Sequence, residues 1–152
     1  MARLALDKAR AVATRLTDGI VLGADTIVAL DGEPLGKPAG PEEARAMLSR
    51  LRGREHEVIT GVAVVDARTG RGERTAVTSR VRMADYGERE IEAYVAGGEP
   101  LDKAGAYAIQ GAGGALVAGY EGSYSNVVGL PLAETARLLA AFGVAVSAPP
   151  AC

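Results

Sequence analysis

Asp25 and Thr26 are the only polar side chains in the run from Ile20 to Leu30. A carboxylate buried there without a partner is costly, so Asp25 must meet a cation, a metal ion or water in a cleft. Two readings stand side by side: a strand-end carboxylate satisfied by backbone amides, or the edge of an active site, where an abrupt change of polarity along a strand is equally natural. Lys37 lies in the stretch Gly32-Glu33-Pro34-Leu35-Gly36-Lys37-Pro38. This fails as a phosphate-binding P-loop, because the spacer is one residue short and Pro38 replaces the metal-binding hydroxyl. A turn that aims Lys37 back toward Asp25 and a solvated lysine on a hairpin are both open. Residues 99–107 place Glu99, Asp102 and Lys103 among small residues, and Gln110 follows three positions later. Two acids beside a lysine can hold a magnesium–phosphate group, and they also suit an ordinary charged turn.

Other chemistries fit poorly. Gly111-Ala112-Gly113-Gly114 misplaces the third glycine of a dinucleotide fingerprint, and no helix follows it. His56 is the only histidine; with no second histidine and no cysteine nearby, metal ligation is the lesser reading, and no nucleophile-elbow sequence supports a Ser-His-Asp triad. The single cysteine, Cys152, excludes a disulfide framework and points to a cytoplasmic setting. A net charge of −2 with 4% aromatic residues leaves no footprint for a nucleic-acid polymer, and no apolar run is long enough for a membrane span. Of the 17 basic residues only three are lysines, Lys8, Lys37 and Lys103, and an ammonium differs from a guanidinium in reach and donor geometry.

These side chains must be carried by an α/β domain. Leu4, Ala5, Ala9, Val12, Ala13 and Leu16 recur at helical spacing and predict a helix over about residues 3–16, with Lys8 at the edge of its apolar stripe. The Ile20 to Leu30 run predicts a buried strand closed by Asp31 and Gly32. Pro41, an acidic first turn, and the apolar set Ala44, Met47, Leu48 and Leu51 predict a second helix ended by Gly53. Residues 58–65 and 76–83 read as a hairpin, residues 88–96 as a short helix, 107–109 and 116–120 as short strands, and a last helix opens at Pro131. Strands separated by helices, together with a hairpin, predict a mixed sheet in one domain over residues 1–146, followed by a disordered tail over residues 147–152.

Six segments in register carry a family resemblance: Ala24-Asp25-Thr26, Leu35-Gly36-Lys37-Pro38, His56-Glu57-Val58-Ile59-Thr60-Gly61, residues 99–107, Ile109-Gln110-Gly111, and Asn126-Val127-Val128-Gly129-Leu130-Pro131-Leu132. From about Leu4 to Phe142 the chain resembles Maf, the septum-formation-inhibitor family of nucleotide pyrophosphatases. The resemblance implies an elongated mixed-sheet α/β fold related to the inosine-triphosphate pyrophosphatases, with the nucleotide in a cleft between two lobes. It also implies a divalent metal, magnesium or manganese, with Asp25 as proton acceptor and metal ligand. Lys8 and Lys37 would face the phosphates, and Thr26 and Gln110 would govern substrate choice.

The pattern is similar to the dTTP/UTP branch of the family, and a Gln amide suits the imide edge that thymine and uracil share. The implied activity is hydrolysis of dTTP or UTP to the monophosphate and pyrophosphate, with a homodimer left open. The family's usual N-terminal strand and Ser-x-x-Arg-Arg motif do not precede Met1, so an N-terminally truncated domain is expected. That departure keeps a second reading in play: a catalytically impaired, nucleotide-binding regulatory protein of the same fold, linked to cell division.

Overall fold

A computed structural model describes residues 1–147. The chain runs α1 (Ala2–Ala13), β1 (Ile20–Leu30), β2 (Glu33–Leu35), α2 (Pro41–Leu51), β3 (Glu55–Asp66), β4 (Gly72–Met83), α3 (Glu88–Ala96), β5 (Val117–Glu121), α4 (Tyr124–Val128) and α5 (Leu132–Ala141). The strands form one sheet in the order β2-β1-β3-β4-β5, so the chain has the α/β architecture that the sequence pattern predicts. The expected mixed direction is corrected: the five described strands are antiparallel, with Val28 opposite Leu35 at one edge and Val81 opposite Tyr120 at the other. Hairpin turns account for this. Asp31 (φ 51°) and Gly32 (φ 79°) are consecutive left-handed residues, the geometry that matches the twist of a tight antiparallel pair.

The described residues divide into two compact units. The first comprises Met1–Thr26, Ile59–Thr78 and the described residues from Ser123 onward. Its core is Ala5, Leu6, Ala9, Ala13, Ala63 and Val65, with Val21 and Ala67 packed against it. The side of α1 that packs is therefore mostly alanine, and Gly23 explains why: a Cβ there would lie 2.4 Å from the Ala5 carbonyl oxygen and 3.1 Å from Ala9 Cβ. Helix and strand approach so closely that only small side chains fit between them. Three residues of the predicted apolar stripe, Leu4, Val12 and Leu16, consequently lie outside this contact and are about half exposed. The helix also ends at Ala13, three residues earlier than predicted.

The second unit comprises Ile27–Val58 and Ser79–Gly122. In it α2 buries Ala44, Met47, Leu48 and Leu51, the predicted face, and α3 buries Ile91, Tyr94 and Val95. Leu48 and Leu51 are fully buried, and each such side chain stabilises the fold by about 1.5–3 kcal/mol. The α3 N-terminus is closed by Glu90, whose carboxylate accepts a 2.8 Å hydrogen bond from Gly87 N.

The predicted strand at residues 107–109 is not formed. Gly105 (φ 72°) and Ala106 (φ 63°) turn the chain into left-handed geometry just before it. Ala108 N then donates to the Tyr94 hydroxyl at 3.1 Å instead of to a neighbouring strand. Ser123 Oγ caps helix α4 by accepting from Asn126 N at 3.1 Å. Residues 148–152 of the predicted tail, Cys152 included, lie outside the described residues.

Candidate functional site

In the first unit, Lys8 and Asp25 form an ion pair between α1 and β1. Lys8 falls in the α1 segment that lies over Gly23, so the close helix–strand approach is what lets its ammonium reach the carboxylate two residues further along β1. The Asp25 side chain is 22% exposed and that of Lys8 58%. The carboxylate is therefore partly withdrawn from water while its cation remains solvated, and an open pair of this kind stabilises a fold by no more than about 1 kcal/mol. Its chemical value is larger. One carboxylate oxygen and one ammonium meet at a partly dry position, able to take up a proton and to oppose phosphate charge.

Thr26, the next residue, is engaged differently. Its Oγ1 lies 2.9 Å from Thr60 Oγ1 and 3.3 Å from the Gly129 carbonyl oxygen. The hydroxyl hydrogen is taken up within the protein whichever partner it points to, so what Thr26 can offer a ligand is an acceptor lone pair.

Lys37 and Gln110 belong to the second unit, and both are exposed. Their backbones are connected: Gly105 N donates to Gly36 O at 3.1 Å, fastening the turn that ends in Lys37 to the segment that carries Lys103 and Gln110. Lys103 pairs with Asp102 at 3.2 Å. The same segment is held from α3, where Tyr94 donates to Glu99 at 3.1 Å while accepting from Ala108 N. Burial, with a contribution from the Glu99 carboxylate, pushes the Tyr94 phenol up to about 12, so it stays a neutral donor. Glu99 also packs within 3.3 Å of where a Cβ would stand on Gly111, the residue after Gln110. Sequence reasoning singled out Lys37 and Gln110 but missed Tyr94, which a core-facing position on α3 concealed.

His56 occupies the start of β3, 2% exposed, with Nε2 2.7 Å from the Tyr107 hydroxyl and the two rings edge to face. Desolvation lowers its pKa from 6.5 to about 4. The folded state thus holds His56 neutral, while the unfolded chain takes up a proton near pH 6.5. The stabilisation is complete above pH 6.5 and is lost as pH falls toward 4, by roughly 3 kcal/mol. The melting temperature is therefore expected to drop more steeply between pH 6.5 and 4 in the wild type than in His56→Gln, whose amide does not titrate. Parallel curves for the two proteins would remove His56 as the source.

Among the described residues no group of three or more His, Cys, Asp or Glu side chains could enclose a metal ion. The Asp25 carboxylate is an oxygen donor that suits a hard cation taking its other oxygens from outside the protein, and does not suit an all-protein cage.

A family model described as Maf-like protein matches residues 1–142. The chain is 60% identical over 147 residues to a protein of Moorella thermoacetica named dTTP/UTP pyrophosphatase, covering 94% of this chain and 74% of that one. It is 60% identical over 141 residues to a protein of the same name from Anaeromyxobacter sp. (strain Fw109-5), covering 90% and 66%, and 55% identical over 144 residues to one from Symbiobacterium thermophilum, covering 93% and 72%. It thus spans between about two thirds and three quarters of the length of these relatives. With the match extending through both units and every predicted site residue, the chain belongs to the Maf-like protein family.

Proposed function

We propose that this chain acts as a nucleoside triphosphate pyrophosphatase on dTTP and UTP, in which water attacks the α-phosphorus and pyrophosphate leaves. The observation that carries the reading is the Asp25 carboxylate, set in mid-strand, partly withdrawn from solvent and faced by the Lys8 ammonium. The name shared by relatives at 55–60% identity supports the choice of reaction and of nucleotide.

Asp25 accepts the proton of the attacking water, so that a hydroxide-like oxygen forms only as the bond to phosphorus does. Oxygen joins the α-phosphorus, the bridge to the β-phosphorus breaks, and pyrophosphate carries away the electron pair. Lys8 and Lys37 supply positive charge against the phosphate oxygens, where charge grows as the bridge breaks. A divalent cation, magnesium or manganese, would be held by Asp25 together with the substrate phosphates and would neutralise part of their charge. Gln110 presents a donor and an acceptor to the pyrimidine edge, and Thr26 contributes its remaining acceptor capacity to the choice of substrate.

The proposal includes a cytoplasmic protein that meets free nucleotides and neither nucleic-acid polymers nor membranes; the low net charge and single cysteine support this. Among the described residues no helix is long and apolar enough to cross a membrane. A homodimer is compatible with it. A regulatory binder without turnover is not favoured, because relatives at 55–60% identity share the name of a pyrophosphatase.

Incubation with dTTP, UTP and GTP in ¹⁸O-water and magnesium tests the reading. Attack at the α-phosphorus places the label in the monophosphate. Label in the pyrophosphate, or no pyrophosphate from either pyrimidine nucleotide, would sink it. In the same assay Gln110→Ala is expected to reduce the preference for dTTP over GTP by about tenfold, the scale of one or two hydrogen bonds to a base edge. Unchanged selectivity with weaker binding of all three nucleotides would make Gln110 a structural residue.

A further inference from the structure

Thr60 stands in β3 beside Val58 and Val62 and is 0% exposed. A hydroxyl so placed is tolerated only if it is hydrogen-bonded. Its Oγ1 lies 2.9 Å from Thr26 Oγ1 across the strand pair and 3.5 Å from the Asn126 carbonyl oxygen. Thr26 Oγ1 lies 3.3 Å from the Gly129 carbonyl oxygen. Each hydroxyl has one hydrogen to give. If Thr26 donates to Gly129, then Thr60 donates to Thr26; if Thr26 donates to Thr60, then Thr60 donates to Asn126. In both orders the chain of hydrogen bonds ends on a carbonyl of the α4 turn, and in both Thr60 is the enclosed link. Asn126 fastens the same turn to β4 through Nδ2 and the Val77 carbonyl at 3.1 Å. All of these residues belong to the first unit.

We propose that Thr60 is a positioning residue, whose hydroxyl fixes Thr26 against the turn after α4 and thereby sets the backbone step from which the Asp25 carboxylate projects. The physical need is directional. Among the described residues the Asp25 side chain is tethered by a solvated lysine, whose flexible stem fixes distance better than orientation. Thr60 is enclosed, Thr26 beside it is half-buried, and both are β-branched, with little rotamer freedom.

The kinetic part of this inference rests on the pyrophosphatase reading, so its test also has an arm that does not. Thr60→Val keeps the shape and removes the hydroxyl; Thr60→Ser keeps the hydroxyl and removes a methyl. In Thr60→Val, kcat for dTTP is expected to fall about tenfold with KM within about twofold, since a misdirected group weakens the transition state more than binding. Thr60→Ser should retain kcat within about twofold while melting earlier. Independently, amide exchange in Thr60→Val should quicken at Thr26 and at Asn126 to Gly129 and stay unchanged at Ala9 in α1. Should the wild type release no pyrophosphate, the proposed function falls and the exchange pattern alone decides the role of Thr60. Exchange unchanged at Thr26 and the turn, or quickened everywhere, overturns the inference, as does equal loss of kcat in the Val and Ser variants.

Discussion

Asp25→Asn is expected to lower pyrophosphate release from dTTP by a factor on the order of 10²–10⁴, the usual contribution of a positioned general base. The amide has nearly the volume of the carboxylate but neither takes up a proton at neutral pH nor carries charge for a cation. Its structural cost should be small. The pair with Lys8 is lost, but that lysine is more than half exposed, so about 1 kcal/mol or less is removed from the fold. The melting temperature should therefore change by a few degrees at most while turnover collapses, and the two readouts together separate a catalytic group from a structural one. Turnover near the wild-type rate at saturating magnesium would take Asp25 out of the mechanism. A lowered melting temperature in proportion to lost activity would mean that the carboxylate serves mainly to hold α1 on β1.

Much of the architecture was legible because local signals agreed with burial. Strand β1 and helices α2 and α3 begin and end where the apolar runs and the Pro and Gly punctuation place them. The failures have specific causes. Helix α1 stops at Ala13, short of residue 16, and the close approach at Gly23 seats Ala5, Ala9 and Ala13 on β1 while Leu4, Val12 and Leu16 stay about half exposed. Tyr107, Ala108 and Ile109 have strand-like side chains, yet the left-handed turn at Gly105 and Ala106 hands the Ala108 amide to Tyr94. A positive φ at a non-glycine residue such as Ala106 leaves no trace in the composition of its neighbourhood.

Legibility of the site divides along similar lines. Asp25 stood out because a charge in an apolar strand is conspicuous, and its pairing with Lys8 depends on a contact between residues 17 apart that periodicity cannot reveal. Thr60 and Tyr94 were not singled out as site residues, for the opposite reason. Each occupies a core-facing position, where a threonine or a tyrosine counts as an ordinary buried residue until its hydroxyl is seen to have partners. Polar groups that organise a site from within the core are thus harder to read than the exposed ones they organise. The exposed Lys37 and Gln110 were named from motifs, but the bond from Gly105 to Gly36 that joins their segments is made by backbone atoms.

Gly23→Ala should be a severely damaging single-methyl change to the fold near Asp25. The added Cβ would stand 2.4 Å from the Ala5 carbonyl oxygen and 3.1 Å from Ala9 N. Because the obstacle is helix backbone, no rotamer change relieves the clash, and α1 as a whole must move away from β1. Overpacking of this kind costs about 1–3 kcal/mol, and relief by withdrawal of the helix also uncovers Ala5, Ala9 and Ala13. For a chain of this size the melting temperature should fall by roughly 5–10 °C. The displacement also bears on chemistry, since Lys8 rides on the helix and Asp25 lies two residues beyond the altered position. At a temperature where the variant remains folded, kcat for dTTP should drop as well, by roughly tenfold if the ammonium shifts by about 1 Å or somewhat less. Gly19→Ala, just before β1, provides the control for an added methyl in the same unit: a Cβ at that position would meet nothing within 4 Å, and its φ of 118° makes any loss a matter of backbone strain rather than of helix displacement. A Gly23→Ala protein with wild-type stability and turnover would show that α1 does not need the close approach, and would leave the placement of Lys8 without its structural cause.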